Sequence, residues 1–118
     1  MDGLIIKEKW LDLILDDKKI FEIRGHNTKK LHTPIYLLES GSRRIRGACE
    51  IIASHPITKE NWDKYKKKAC LDMSFEELSE WYSTPYAWEL AYIESVTPDT
   101  YYVHPKGAVI WVKDVEEV

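Results

Sequence analysis

The sequence is poor in the residues that would mark a stapled, fibrous or membrane-spanning chain. Only two cysteines, Cys49 and Cys70, occur in 118 residues. They form no C-x-x-C pair, and His26, His32, His55 and His104 stand at none of the spacings that would complete a zinc site with them. Both are expected to be reduced and to sit in or near the core. Five glycines and five prolines exclude a collagenous or low-complexity chain. No apolar run approaches the ~18 residues that a membrane span needs. Met1 to Lys9 lacks a basic stretch followed by an apolar one, so no secretory leader and a cytoplasmic location are expected. A glycine-rich loop able to cradle phosphates is also missing. Nothing implies a metal or a cofactor.

What is present is ordinary globular composition, 44% hydrophobic and 31% charged. A chain of 118 residues is the size of one domain, here residues 1–118, and buries roughly two thirds of its unfolded surface. The net charge of −3 is unevenly spread. Residues 29–68 carry ten Lys/Arg against four Asp/Glu, whereas residues 69–118 carry two against ten. A basic middle in an acidic chain fits one anion-facing surface, or simply a solvated basic helix.

Periodicity divides the chain into alternating elements. Gly3–Ile6 suits a first strand, and Trp10, Leu11, Ile14 and Leu15 recur at helical spacing. Ile20–Arg24 and Ile35–Leu38 read as strands, separated by a polar loop. In Arg44–Ser54, Ile45, Gly47, Cys49 and Ile51 alternate with polar or small residues, as in a strand. Two helices follow. Thr58 is placed to cap the first, with Ile57 and Trp62 as staple partners; Ser74 and Glu77 form a capping box for the second. Tyr86–Val96 is a long aromatic strand, and Ala108–Val112 a last one. The expected fold is α+β: a small, closed or nearly closed β-barrel of five to six strands, flanked by helices.

The segment Asp17-Lys18-Lys19-Ile20-Phe21-Glu22-Ile23-Arg24 carries the chemistry. Glu22 and Arg24 share one strand face, and Phe21 and Ile23 take the core face. Strict alternation groups Lys19 with Phe21 and Ile23; it joins the polar pair only if it lies in the turn before the strand. Arg offers a fork for phosphate, Lys a point charge, and Glu an acceptor for an exocyclic amine. Together they describe either an anion or nucleobase site or a solvent-facing ion pair on an amphipathic strand.

Lys19, Glu22 and Arg24 match the G-x-K-x-x-E-x-R motif of ASCH domains, with Asp17 at the glycine position. Leu4–Leu15 before the motif and Tyr86–Leu90 late in the chain also resemble elements of that family, which belongs to the PUA-like β-barrels. The resemblance implies a cleft lined by Lys19, Glu22 and Arg24 that takes RNA or a nucleotide, including modified bases. Some small ASCH proteins are amidohydrolases that deacylate N4-acetylcytidine with a Lys, a Thr and a Glu, and others are described as ribonucleases. Lys19 matches the Lys of the amidohydrolases; Glu22 stands where they carry Thr. In an enzyme of this kind Lys19 would be the base or nucleophile and Glu22 would orient it.

Further residues are candidates on chemical grounds. Tyr86 and Trp88 lie on one strand face and are able to stack on bases, or to fill the core. Arg46, with Arg44 and the lysines of residues 59–68, is placed to follow a phosphate backbone. A pairing of Cys49 or Cys70 with His55 or His104 is selected by no spacing.

Overall fold

The computed structural model describes residues 1–118. Its elements run β1 Gly3–Ile6, α1 Glu8–Leu15, β2 Phe21–Arg24, β3 Pro34–Glu39, β4 Ile45–Pro56, α2 Trp62–Ala69, α3 Phe75–Trp81, β5 Tyr86–Ser95 and β6 Trp111–Val112. The six strands form one curled sheet, a half-barrel, in the order β2-β5-β4-β3-β1-β6. Only β1 and β3 pair in parallel; every other pairing is antiparallel. The barrel expected from the sequence is thus present, but its end strands β2 and β6 do not pair with each other.

Curvature comes from irregular pairing. The β4–β5 register slips between Ala48 and Glu50 and again between Ile51 and Ala53. Bulges of this kind bend a strand and increase its twist. Opposite the first slip, Tyr92 adopts a left-handed φ of 55° and turns its ring into solvent. This interrupts the alternation expected along β5. In β4 the alternation holds: Ile45, Gly47, Cys49 and Ile51 are buried and the residues between them half-buried.

Three buried clusters hold the sheet: Ile5, Leu38, Ile45, Tyr102 and Val112 at the β6 end, and two larger layers. On one face Leu11 and Ile14 of α1 join Leu4, Ile6, Ile35, Leu37, Cys49, Ile51, Trp88 and Leu90. At the β2–β5 end, Trp62, Tyr65 and Ala69 of α2 and Leu78 of α3 pack with Ile23, Ile57 and Ala87. Burying a side chain of Leu or Ile size stabilises by ~1.5–3 kcal/mol, so both layers contribute to one cooperative structure.

The helix starts show where local chemistry decided. Ser74 caps α3 as expected: its Oγ accepts from Glu77 N at 3.1 Å, and Ser74 N donates to Glu77 Oε1 at 3.2 Å. Thr58 bounds the turn that leads into α2: its Oγ1 accepts from Asn61 N at 3.3 Å, Asn61 Oδ1 accepts from Thr58 N at 2.8 Å, and Trp62 N donates to Thr58 O at 3.0 Å. The pairing is that of a capping box, but the regular helix begins one turn later than expected, at Trp62. Ile57 and Trp62 nevertheless share one buried cluster. The last strand is shorter than Ala108–Val112, because Ala108 N is taken by a turn to Pro105 O.

Candidate ligand cleft

Where the sheet fails to close, a cleft of about 410 Å³ opens between β2 and β1. That volume lies within the range of small-molecule sites. Leu71, Met73, Leu78, Trp81 and Tyr82 line it from the α3 side, and Ile5, Lys7, Val109 and Ile110 from the β1 side. Lys19, Glu22 and Arg24 lie among these apolar walls. Ten of the fifteen lining residues are hydrophobic, so the Lys19–Glu22–Arg24 cluster, with Lys7 and Ser40 at the β1 side, is the main polar feature of the site.

Lys19 reaches this side because it is not in the strand. Lys18 N and Lys19 N both donate to Leu13 O, extending the end of α1 by a turn, and β2 begins only at Phe21. The Lys19 side chain is consequently buried, with the residue 1% exposed. Its ammonium donates to Ala69 O at 2.5 Å and lies 4.8 Å from the centre of the Trp10 ring. Ala69 ends α2, where unpaired carbonyls concentrate partial negative charge. Burial lowers the Lys19 pKa from its ordinary value, and the nearby Glu22 carboxylate opposes that shift.

Glu22 is 5% exposed, more buried than its neighbour Phe21. Phe21 is half-buried rather than buried, as its ring packs edge-on to Tyr65 at 5.0 Å and to His55 at 6.1 Å. Ile23 is buried as expected. Glu22 Oε2 accepts from Arg24 Nε at 3.0 Å and Nη2 at 2.7 Å. Glu22 Oε1 lies 3.7 Å from Lys19 Nζ and accepts no hydrogen bond. Arg24 Nη2 also donates to Ile5 O at 2.9 Å, so one guanidinium spans the opening from β2 to β1.

The arrangement leaves one strong acceptor, Glu22 Oε1, for a donor brought by a ligand. Lys19 retains N–H groups beyond the one on Ala69 O. A polar edge that presents a donor beside an acceptor would satisfy both. No three His, Cys, Asp or Glu side chains converge in the way a metal ion would require.

Other sequence candidates fall elsewhere. Arg46 is held by Glu39 at 2.6 Å and Asp12 at 2.7 Å and does not line the cleft. Trp88 is fully buried, stacks on Trp111 at 5.9 Å and lies under the Arg24 guanidinium, so no base can reach its face. Tyr86 is half-buried and packs against the same core. Both stay inside because β5 is a central strand, paired on both sides. Cys49 is buried, and its thiol is pushed up to about 12. Cys70 Sγ donates to Lys18 O at 3.3 Å. His55 pairs with Glu89, and His104 with Tyr102 and Ala108 O, so no cysteine–histidine pair forms.

Sequence reasoning missed Lys7, Trp81, Val109 and Ile110. Trp81 had one usable signal: it lies off the stripe formed by Phe75, Leu78 and Tyr82, and it is 73% exposed. Val109 is 76% exposed on the other wall.

The fold has solved counterparts. An ASCH protein from Zymomonas mobilis superposes with a TM-score of 0.67 over 82% of this chain and 71% of its own, at 16% identity. A serine-to-alanine variant of it gives the same values. A tyrosine-to-phenylalanine variant gives 0.62 over 83% and 76%, also at 16% identity. No protein-family model and no curated protein sequence matches the chain. The chain therefore has the ASCH-type fold.

Proposed function

We propose that the cleft binds RNA or a nucleotide by the edge of an amine-bearing base. One observation carries this reading: a buried Lys19–Glu22–Arg24 cluster lies in an apolar cleft, with Glu22 Oε1 unpaired. In this reading Glu22 accepts from the exocyclic amine, Lys19 donates to the adjacent ring acceptor, and Arg24 holds the Glu22 carboxylate in place. The motif shared with ASCH domains and the likeness of fold to a protein of that name point the same way. A charge-assisted contact of this kind contributes ~1.5–3 kcal/mol.

Titration of cytidine and uridine, followed by the fluorescence of the cleft tryptophans, tests the reading. Cytidine, which carries the amine, is expected to bind tighter than uridine, and Glu22→Gln to lose roughly tenfold or more of that affinity. Equal affinity for the two nucleosides, or an unchanged Glu22→Gln variant, overturns it.

A hydrolytic reading is favoured by one feature, the lowered pKa of Lys19 beside a carboxylate. Neutral Lys19 would take a proton from water as the oxygen adds to the acyl carbon of an N4-acylated cytidine. The amide C–N bond then breaks, the proton passes to the departing amine, and cytidine and the carboxylic acid leave. Incubation with N4-acetylcytidine and chromatography for cytidine decides it. Lys19→Arg, which stays protonated, should stop turnover; no cytidine from the unaltered protein excludes this chemistry.

A further inference from the structure

A second cavity of about 360 Å³ adjoins the cleft and shares Ile5, Ser40 and Val109 with it. Its other lining residues are Gly41, Arg43, His104 and Ala108, and none of the seven is a carboxylate. Arg43 forms no ion pair, whereas its neighbour Arg44 faces Glu39 at 3.9 Å. The Arg43 backbone is held at a left-handed φ of 64°, and its carbonyl accepts from Tyr102 N at 2.9 Å. Arg43 lies in the turn that joins β3 to β4, where a left-handed position is ordinary hairpin geometry. The Ser40 side chain is exposed at the junction of the two cavities and makes no hydrogen bond within the protein. His104 is fixed by bonds at both ring nitrogens, so it acts as a wall.

The charge balance of the two cavities is the stronger observation. Lys7, Lys19, Arg24 and Arg43 line them against a single carboxylate, Glu22, an excess of three positive charges. The whole chain carries −3. Glu22 already serves Arg24 and faces Lys19, which leaves Lys7 and Arg43 without partners. Unpaired cations gathered in a concave site of an acidic protein attract an anion and hasten its arrival.

We propose that the second cavity is a phosphate subsite, in which Arg43 and the Ser40 hydroxyl bind a phosphate of the ligand whose base occupies the cleft. The inference rests on the nucleotide reading above and sharpens it: the ligand is a phosphorylated nucleoside or an RNA chain, and a free nucleoside fills only half of the site. Arg43 supplies a fork to two phosphate oxygens. Ser40 donates to a third.

The test compares cytidine, cytidine 3′-monophosphate and cytidine 5′-monophosphate by calorimetry at two salt concentrations. At least one monophosphate should bind tenfold or more tightly than cytidine, with a gain that shrinks as salt rises. Arg43→Ala should remove the gain and leave cytidine affinity unchanged. Arg43→Gly removes the same charge and suits the left-handed backbone, so it serves if the alanine variant is unstable. Equal binding of all three ligands, or a phosphate gain that survives both variants, overturns the subsite and leaves the base reading standing. Absence of binding by any of the three overturns both.

Discussion

Arg24 is the residue whose loss should be felt most widely. Its side chain is 15% exposed and makes two bonds to Glu22 Oε2 and one to Ile5 O. Arg24→Ala strips a carboxylate that is itself only 7% exposed of its main partner. Removing one member of a buried pair costs about 3–5 kcal/mol when nothing replaces it. Here Lys19 stays 3.7 Å from the other oxygen, and Ile5 O faces the cleft where water can reach it. The expected loss is therefore smaller, about 2–3 kcal/mol. A chain of 118 residues unfolds with an entropy of about 0.25 kcal/mol/K, so the midpoint should fall by about 8–12 °C. Arg24→Lys keeps the charge but cannot reach Glu22 and Ile5 together, and should lose about half as much. Thermal unfolding by circular dichroism reads both variants. A double-mutant cycle with Glu22→Gln should give a coupling of about 1.5–3 kcal/mol. A midpoint shift under about 2 °C for Arg24→Ala would refute a structural role for the guanidinium, and additivity within about 0.3 kcal/mol would refute the Glu22–Arg24 pair.

Two further outcomes are expected. The buried Cys49 thiol titrates at about 12 in the folded protein against 9.0 as its ordinary value. Above pH 9 the unfolded chain loses a proton that the native state keeps, so stability falls with rising pH, by about 1.4 kcal/mol per unit up to pH 12. Cys49→Ala should flatten that slope in denaturant titrations between pH 8 and about 11, and an unchanged slope would contradict the burial. Ser74→Ala removes the side-chain half of the capping box and should cost about 1 kcal/mol, or about 4 °C; a midpoint within about 1 °C of the parent would show that α3 is held by packing alone.

Features fixed by neighbouring residues were legible in the sequence. The capping box needs only Ser74 and Glu77, and the β4 face only its alternation. The polar cluster was legible to the extent that its spacing permits: Glu22 and Arg24 share a face by period, while Lys19 joins them through a turn that periodicity treats as optional. Illegible parts depend on distant chain. Lys7, Trp81 and Val109 come from three segments that meet only because the sheet curls. The curl in turn arises from bulges in β4 and β5 that leave no composition signal. Trp88 and Tyr86 looked like stacking aromatics because an alternating aromatic strand reads alike whether its face meets a ligand or a core. The start of α2 came one turn later than Thr58 suggested, because Thr58 and Asn61 bond each other across a turn and Asn61 Nδ2 is drawn back to Pro56 O at 2.9 Å.

The strand order also governs when the cleft comes into being. β2 pairs only with β5, so Phe21–Arg24 wait for Tyr86–Glu89, more than sixty residues further along the chain. The opposite wall waits longer, because β1 is flanked by Trp111–Val112 and Ile5 N bonds Ile110 O. Contacts at such separation carry the largest loop-closure cost and form late. On a ribosome, the Lys19–Arg24 segment emerges well before Tyr86–Glu89 and Trp111–Val112, the strands that complete the walls around it. A nascent or half-folded chain then holds three solvated charges and no cleft. The cleft is therefore a property of the completed sheet, and any molecule that binds the native cleft but not the unfolded chain would stabilise the entire fold rather than one end of it.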